Sequence, residues 1–179
     1  MSTNPSIEES MTNNQPLDQH AFFITLCAYQ SQPLLGSLID SQVKLTESGR
    51  IVSMCWSAIP EHMPEVQLDA FIIMPSHFHA ILALPDPRSP IPDPRALSTV
   101  IRSFKSAATR RVNHLNNTPG ASLWQPSYHA RVVKTQPALE AFRQYIHDNP
   151  SSWRSDPLNP NGDRPAPFCP VPISHANDV

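Results

Sequence analysis

Two histidines in the middle of the chain have the spacing of a metal-binding pair. His77 and His79 are separated by one residue within the apolar run HFHAILAL. Alternate side chains of a β-strand project from the same face, so a strand here would place both imidazoles a few Å apart. Two neutral imidazoles so placed can share a divalent cation. With 8 His in 179 residues such a pair also arises by chance, so the spacing alone leaves a structural role open.

A tyrosine and an asparagine near the end of the last predicted helix form a second candidate pair. Tyr145 and Asn149 are four residues apart, so a helix would present them on one face. The amide oxygen of Asn149 suits a hard metal ion, and Tyr145 offers a phenol. A phenol at the edge of a core is also a common packing residue, which is the alternative interpretation.

The charges of the chain are unevenly distributed although the net charge is only −2. The segment from Arg95 to Leu139 contains Lys and Arg but no Asp or Glu. Such a segment is typical of a surface that binds polyphosphate ligands such as nucleic acid, and a solvated helix face is the alternative. The candidate DNA-binding residues are Arg95, Arg102, Lys105, Arg110, Arg111 and Arg131.

The order of apolar runs predicts the elements that position these residues. The predicted elements are strand 21–29, helix 47–62 with Thr46 as N-cap, strands 66–74 and 77–84, helix 94–115 with Asp93 as N-cap, strand 128–134 and helix 137–149. The two middle strands would pair as an antiparallel hairpin around Pro75 and Ser76. Helices and strands interspersed in this way favour an antiparallel α+β sandwich.

One narrow apolar stripe is predicted on the basic helix. Its members are Leu97, Ile101, Phe104, Ala108, Val112 and Leu115. Arg95, Arg102 and Arg110 lie away from this stripe, where they would track a DNA backbone. Trp124 and Tyr128 follow the helix, and exposed aromatics there would stack on unpaired bases.

The two ends of the chain have the composition of tails around one domain. Residues 1–19 are polar without apolar periodicity, and the region beyond Pro150 is rich in proline, so both are expected to be disordered or extended. The expected division is a tail over 1–19, one domain over 20–153 and a Pro-rich tail over 154–179.

Cysteine content and hydropathy predict the cellular location of the protein. The three cysteines, Cys27, Cys55 and Cys169, are odd in number and far apart, which speaks against a disulfide scaffold or a zinc finger. No apolar run approaches the roughly 18 residues that span a bilayer. We therefore expect a cytoplasmic protein without membrane association.

Several motifs in consecutive order resemble a transposase family. The run FIIMPSHFHAILAL is similar to the His-hydrophobic-His signature of the single-tyrosine HUH transposases. The blocks LSTVIRSFKSAATRRVN, LWQPSY and FRQYIHDNPSSW resemble those of the REP-associated tyrosine transposases, an IS200-like branch of that family. The resemblance covers about residues 20–153.

The resemblance implies a fold, an activity and a set of residue roles. The expected fold is a ferredoxin-like antiparallel sheet with helices on one face. The expected activity is cleavage and rejoining of single-stranded DNA beside a hairpin, with Mg²⁺ or Mn²⁺ and a 5′-phosphotyrosine intermediate, in a monomer or homodimer. By position, His77, His79 and Asn149 would hold the metal and Tyr145 would be the nucleophile.

The sequence departs from the family pattern in two places. Ser76 stands where the family usually has Asn, and His129-Ala130-Arg131 stands where a carboxylate followed by His is common. These departures leave open a catalytically idle descendant that binds structured single-stranded DNA. A third alternative is a zinc hydrolase in which His129 or His62 joins the histidine pair.

Overall fold

The structure, a computed structural model, describes residues 16–84 and 94–163, without the side chains of residues 16–19 and 94. In these residues the elements are β1 (Pro16–Cys27), β2 (Gly36–Ile39), β3 (Gln42–Leu45), α1 (Glu47–Ser57), α2 (Ile59–His62), β4 (Gln67–Ile73), β5 (His77–Leu84), α3 (Pro94–Asn116), β6 (His129–Thr135) and α4 (Gln136–Asp148). Short 3-10 helices lie at Tyr29–Ser31 and Trp153–Ser155.

The predicted antiparallel α+β class is confirmed. Four strands form one antiparallel sheet in the order β4-β5-β1-β6. The hairpin expected around Pro75 and Ser76 joins β4 to β5, and its turn is closed by the Met74 N–H, which donates to the His77 carbonyl at 2.8 Å. This turn begins β5 at the first histidine of the pair.

Helices cover both faces of the sheet. Even-numbered β1 residues such as Phe22 and Ile24 pack with the buried side chains of α1 and α3, whereas Phe23 packs with α4. The expectation that the helices lie on one face is therefore wrong. The physical reason is that β1 is apolar and buried on both of its faces, which requires a helix on each side.

A small hairpin between β1 and α1 was not predicted. Strand β2 pairs with β3 in antiparallel register, and Asp40 and Ser41 in their turn have positive φ angles of 50° and 58°. Asp tolerates this conformation, but the Asp-Ser pair lacks the glycine that normally marks a two-residue hairpin turn. The segment therefore looks like a loop in the sequence.

The predicted helices are present with two changes in extent. Thr46 caps α1 as expected, since its hydroxyl accepts the Gly49 N–H at 3.1 Å. The helix predicted to reach His62 is divided at Ala58 into α1 and α2, because Pro60 lacks the N–H that a continuous helix needs. On α3 the buried stripe ends at Val112, since Leu115 is 45% exposed. The predicted cap Asp93 lies outside the described residues.

Order extends beyond the predicted domain at both ends. Strand β1 begins at Pro16, before the predicted start at Ala21. At the other end the described residues 151–163 form turns that bury Asp156, Leu158 and Asn159, so the extended tail expected directly after Pro150 is wrong for this stretch.

The two cysteines within the described residues differ in their bonding state. Cys27 is disulfide-bonded, which departs from the reduced state expected of a cytoplasmic chain, whereas Cys55 is a buried free thiol. No helix within residues 16–84 or 94–163 is long and apolar enough to cross a bilayer.

Candidate metal and tyrosine site

Strand β5 presents both histidines on the face covered by α4. His77 and His79 are fully buried, and their ring centroids lie 4.6 Å apart. Phe78 between them packs into the opposite core with α1 and α3. The strand periodicity therefore predicted correctly that the two imidazoles share one face.

A threonine on the neighbouring strand orients His79. Thr25 lies opposite His79 in the β1–β5 register, and its Oγ1 is 2.8 Å from His79 Nδ1. For Nε2 to bind a cation it must be unprotonated, so the ring proton must reside on Nδ1 and be donated to Thr25. The contact therefore suits the tautomer that leaves Nε2 available.

Helix α4 brings the tyrosine to the histidines. The Tyr145 ring lies 5.3 Å from the His79 ring and 5.8 Å from Phe23, centroid to centroid. The helix is attached to the edge strand β4 by Arg143, whose guanidinium donates to both carboxylate oxygens of Asp69 at 2.7 to 3.1 Å. Tyr145 is half-buried, so its phenol borders both the histidines and solvent.

Three buried polar atoms in this region lack hydrogen-bond partners. They are Nε2 of His77, Nε2 of His79 and Oδ1 of Asn149, the C-cap residue of α4, which is 2% exposed. Burying such atoms without a partner costs free energy, so this group of atoms is suited to binding a ligand. Two imidazole nitrogens and an amide oxygen are a donor set that a divalent cation would satisfy.

The protonation states match what metal binding requires. Burial lowers the pKa of His77 to about 3, against an opposing effect of the Asn149 side chain. Burial and the neighbouring His77 also lower the pKa of His79 well below its usual value. Both rings are therefore neutral at pH 7. Burial, followed by the charge of Asp156, raises the pKa of Tyr145, so its phenol is protonated.

The alternative zinc site lacks structural support. In the part of the chain that the structure describes, no three His, Cys, Asp or Glu side chains form a group that could hold a metal ion. His62 is exposed at the end of α2. His129 lies across Thr25 from His79 in the strand register, so the threonine separates it from the pair.

A segment after α4, for which the sequence carries no periodic signal, covers the site. The Trp153 ring lies 5.8 Å from the His77 ring, and Asp156 Oδ2 lies 3.8 Å from His77 Nε2. The segment is attached to the β4–β5 turn by Ser76, whose hydroxyl donates to the Leu158 carbonyl at 2.6 Å. No periodicity marks these residues, because they lie in a Pro-rich stretch of turns.

The predicted DNA-binding cations divide between two locations. Arg95, Arg102 and Arg110 are exposed on α3, on the sheet face opposite the histidines. Arg131 is half-buried on β6 and lies opposite Phe23, so it projects from the same face as the histidine pair. The basic segment therefore does not form one surface around the site.

Three residues assigned to nucleic-acid contact have contacts within the protein. Lys105 donates to the carbonyls of Gln125 and Pro126 at 2.6 and 3.0 Å, and burial lowers its pKa. Arg111 donates to Cys55 Sγ at 3.4 Å. Trp124 is only 5% exposed within the α3 core, so the expectation that it is exposed for base stacking is wrong.

Tyr128, the second aromatic suggested for stacking, is also tied to α3. Its hydroxyl lies 3.0 Å from Ser98 Oγ, and its ring packs against the core on the α1 and α3 side. The residue types of Trp124 and Tyr128 gave no signal that would distinguish core packing from an exposed stacking surface.

Comparison with known proteins identifies the family. The family model described as "Transposase IS200 like" matches residues 50–149, which include the histidine pair, Tyr145 and Asn149. An uncharacterized protein of Haemophilus influenzae is 27% identical over 152 residues, covering 76% of this chain and 83% of the relative.

A solved structure has a similar fold. It is that of a REP-associated tyrosine transposase bound to a REP hairpin, with a TM-score of 0.54, 17% identity, and coverage of 80% of this chain and 74% of that chain. The family model spans more than half of the sequence and the fold agrees with it. The chain therefore belongs to the IS200-like transposase family.

Proposed function

We propose that the protein cleaves and rejoins single-stranded DNA next to a hairpin, with Tyr145 as the nucleophile. His77, His79 and Asn149 would hold a divalent cation, Mg²⁺ or Mn²⁺. The observation that carries this proposal is the convergence of three unpartnered buried donor atoms beside one half-buried phenol. These groups come from two elements that are far apart in the chain.

Each residue of the proposed cation site has a defined task. His77 and His79 supply neutral nitrogen lone pairs, and Thr25 holds His79 in the tautomer that frees Nε2. Asn149 supplies its amide oxygen and also favours the phenolate of Tyr145, since its side chain lowers the pKa of that residue. A divalent cation bound there would polarise the scissile phosphate and offset the charge developing on its oxygens.

The proposed cleavage step makes one bond and breaks one. The Tyr145 phenol loses its proton, and Oη attacks the phosphorus in line with the leaving 3′-oxygen. The new P–Oη bond forms as the bond from phosphorus to that 3′-oxygen breaks, and the 3′-oxygen takes up a proton to become a hydroxyl. The phosphodiester energy is kept in the 5′-phosphotyrosine, so attack by a 3′-hydroxyl restores the DNA strand without ATP.

The cationic residues suggest how DNA would be held. Arg131 shares the sheet face of the site and would contact backbone phosphates near the reacting strand. Arg102 and Arg110 on α3 lie on the other face, where they would contact phosphates of the hairpin stem. The solved structure with a REP hairpin, which shares the fold, supports a hairpin as the partner.

Covalent trapping tests this function. The protein is incubated in Mn²⁺ with a pool of 3′-labelled single-stranded oligonucleotides in which a fixed hairpin is flanked by randomised sequence. A denaturing gel should show labelled protein, because the downstream fragment stays on the tyrosine. Tyr145→Phe should abolish the adduct while hairpin binding persists. Tyr128→Phe is the matched control, since that phenol bonds Ser98 away from the histidines. An adduct retained in Tyr145→Phe would exclude the proposed nucleophile.

A second candidate function is binding of structured single-stranded DNA without cleavage. It is favoured by the complete burial of His77 and His79, with Trp153 beside the His77 ring, and by the altered His129-Ala130-Arg131 stretch. Wild-type protein that shifts the hairpin pool but forms no adduct in Mn²⁺ would favour this alternative.

A further inference from the structure

A buried carboxylate lies next to the proposed cation site. Asp156 is 5% exposed, and its Oδ2 lies 3.8 Å from Nε2 of His77, which is one of the unpartnered donor atoms. Asp156 also lies outside residues 50–149, which the transposase family model matches. Nothing in that match therefore assigns a role to it.

The carboxylate is held in place by the fold. Its Oδ1 accepts the Leu158 N–H at 2.7 Å, and the Leu158 carbonyl accepts the Ser76 hydroxyl at 2.6 Å. Ser76 immediately precedes the first histidine, so one short chain of hydrogen bonds connects the β4–β5 turn to the carboxylate. Oδ2 lies on the side of His77, and the Asn149 side chain, another group of the proposed cation site, hydrogen-bonds to the same carboxylate.

The proposed ligands of the cation carry no negative charge, so the nearby Asp156 carboxylate would affect the charge balance of the site. His77, His79 and Asn149 are all neutral, so a divalent cation bound by them alone would carry two uncompensated charges in a buried place. Desolvating an uncompensated charge is costly, and a nearby anion reduces that cost. Within the described residues, no compact group of three His, Cys, Asp or Glu side chains fits a metal ion, so the carboxylate would act by its charge beside His77.

We propose that Asp156 supplies the negative charge of the cation site and thereby sets its affinity for divalent cations. This inference rests on the proposed cation site but not on DNA cleavage. It gives the turn segment after α4 a function, namely to place one anionic oxygen beside the histidine pair. It also gives Ser76 a positioning role through Leu158.

Cation binding without DNA tests this proposal. Mn²⁺ affinity is measured by electron paramagnetic resonance and by isothermal titration calorimetry on the full chain. Asp156→Asn should weaken Mn²⁺ binding by about tenfold or more, the lower end of the effect of removing a supporting group from a metal site. Asp163→Asn is the matched control, because that carboxylate lies on the same segment, is 59% exposed and pairs with Arg154. Its Mn²⁺ affinity should equal that of the wild type.

The outcomes separate this inference from the proposed function. Unchanged Mn²⁺ affinity in Asp156→Asn would overturn it, as would a wild-type protein that binds no Mn²⁺. If Asp156→Asn does not fold, Ser76→Ala takes its place, with weaker Mn²⁺ binding expected and unchanged affinity overturning the proposal. Mn²⁺ binding that depends on Asp156 in a protein that forms no DNA adduct would leave the inference standing while the cleavage proposal fails.

Discussion

Acid should destabilise the metal-free protein through His77. The fully buried imidazole of His77 has a pKa of about 3, whereas an exposed histidine in the unfolded chain has a pKa of about 6.5. Below pH 6.5 the unfolded chain therefore binds a proton that the folded chain does not. The free energy of unfolding is therefore unaffected by His77 above pH 6.5 and decreases as the pH falls from 6.5 toward 3.

The size of this effect follows from the two pKa values. Between pH 7 and pH 5, protonation of His77 in the unfolded state alone should remove about 2 kcal/mol from the free energy of unfolding. His79 acts in the same direction because its pKa is also lowered. The effect is a substantial fraction of the total stability of a domain of this size.

A variant that cannot titrate isolates the contribution of His77. Urea unfolding is measured at pH 7 and pH 5 in the presence of a chelator, for the wild type and for His77→Gln. The loss of stability on acidification should be smaller in the variant by about 2 kcal/mol. An equal loss in the two proteins would refute the reasoning, because it would mean that His77 titrates in the folded protein as it does in water.

Two further predictions concern the orientation of His79 and the binding of DNA. Thr25→Val removes the acceptor of the His79 Nδ1 proton and should weaken Mn²⁺ binding about tenfold. Thr25→Ser keeps the hydroxyl and should retain the Mn²⁺ affinity. Calorimetry measures the affinity of both variants, and an unchanged affinity in Thr25→Val would contradict the assigned tautomer. Arg102→Ala should lower the magnitude of the slope of log affinity against log salt concentration for a hairpin oligonucleotide by about 0.7 to 0.9. Fluorescence anisotropy at several salt concentrations measures this slope. An unchanged slope would show that the Arg102 side chain contacts no phosphate.

The local geometry of the site could be predicted from the sequence because it depends on periodicity. The spacing of two between His77 and His79 fixes a common face on any strand, and the spacing of four between Tyr145 and Asn149 does the same on a helix. Their convergence depends on α4 crossing the face of the sheet that carries the histidines. Residue spacing does not determine which face of the sheet a helix covers. The expectation that all helices lie on one face was wrong for this reason.

Other parts of the structure have no periodic signal. Asp156 lies in a stretch of turns whose placement depends on single hydrogen bonds such as that from Ser76 to Leu158. Lys105 has the composition of a DNA-binding residue, but its ammonium group donates to backbone carbonyls of a loop twenty residues later. Charge and residue type identify candidates for binding, and only the tertiary fold decides whether solvent or backbone surrounds them.

Locating the covalent bond by mass spectrometry tests the central claim most directly. The chain has 3 Tyr, namely Tyr29, Tyr128 and Tyr145, and Tyr145 lies in the tryptic peptide of residues 144–154. After reaction with the hairpin oligonucleotide pool in Mn²⁺, trypsin and nuclease digestion should leave a nucleotide attached to Tyr145 in this peptide. Attachment at Tyr29 or Tyr128, or an unmodified peptide in protein that has cleaved the DNA, would contradict the account.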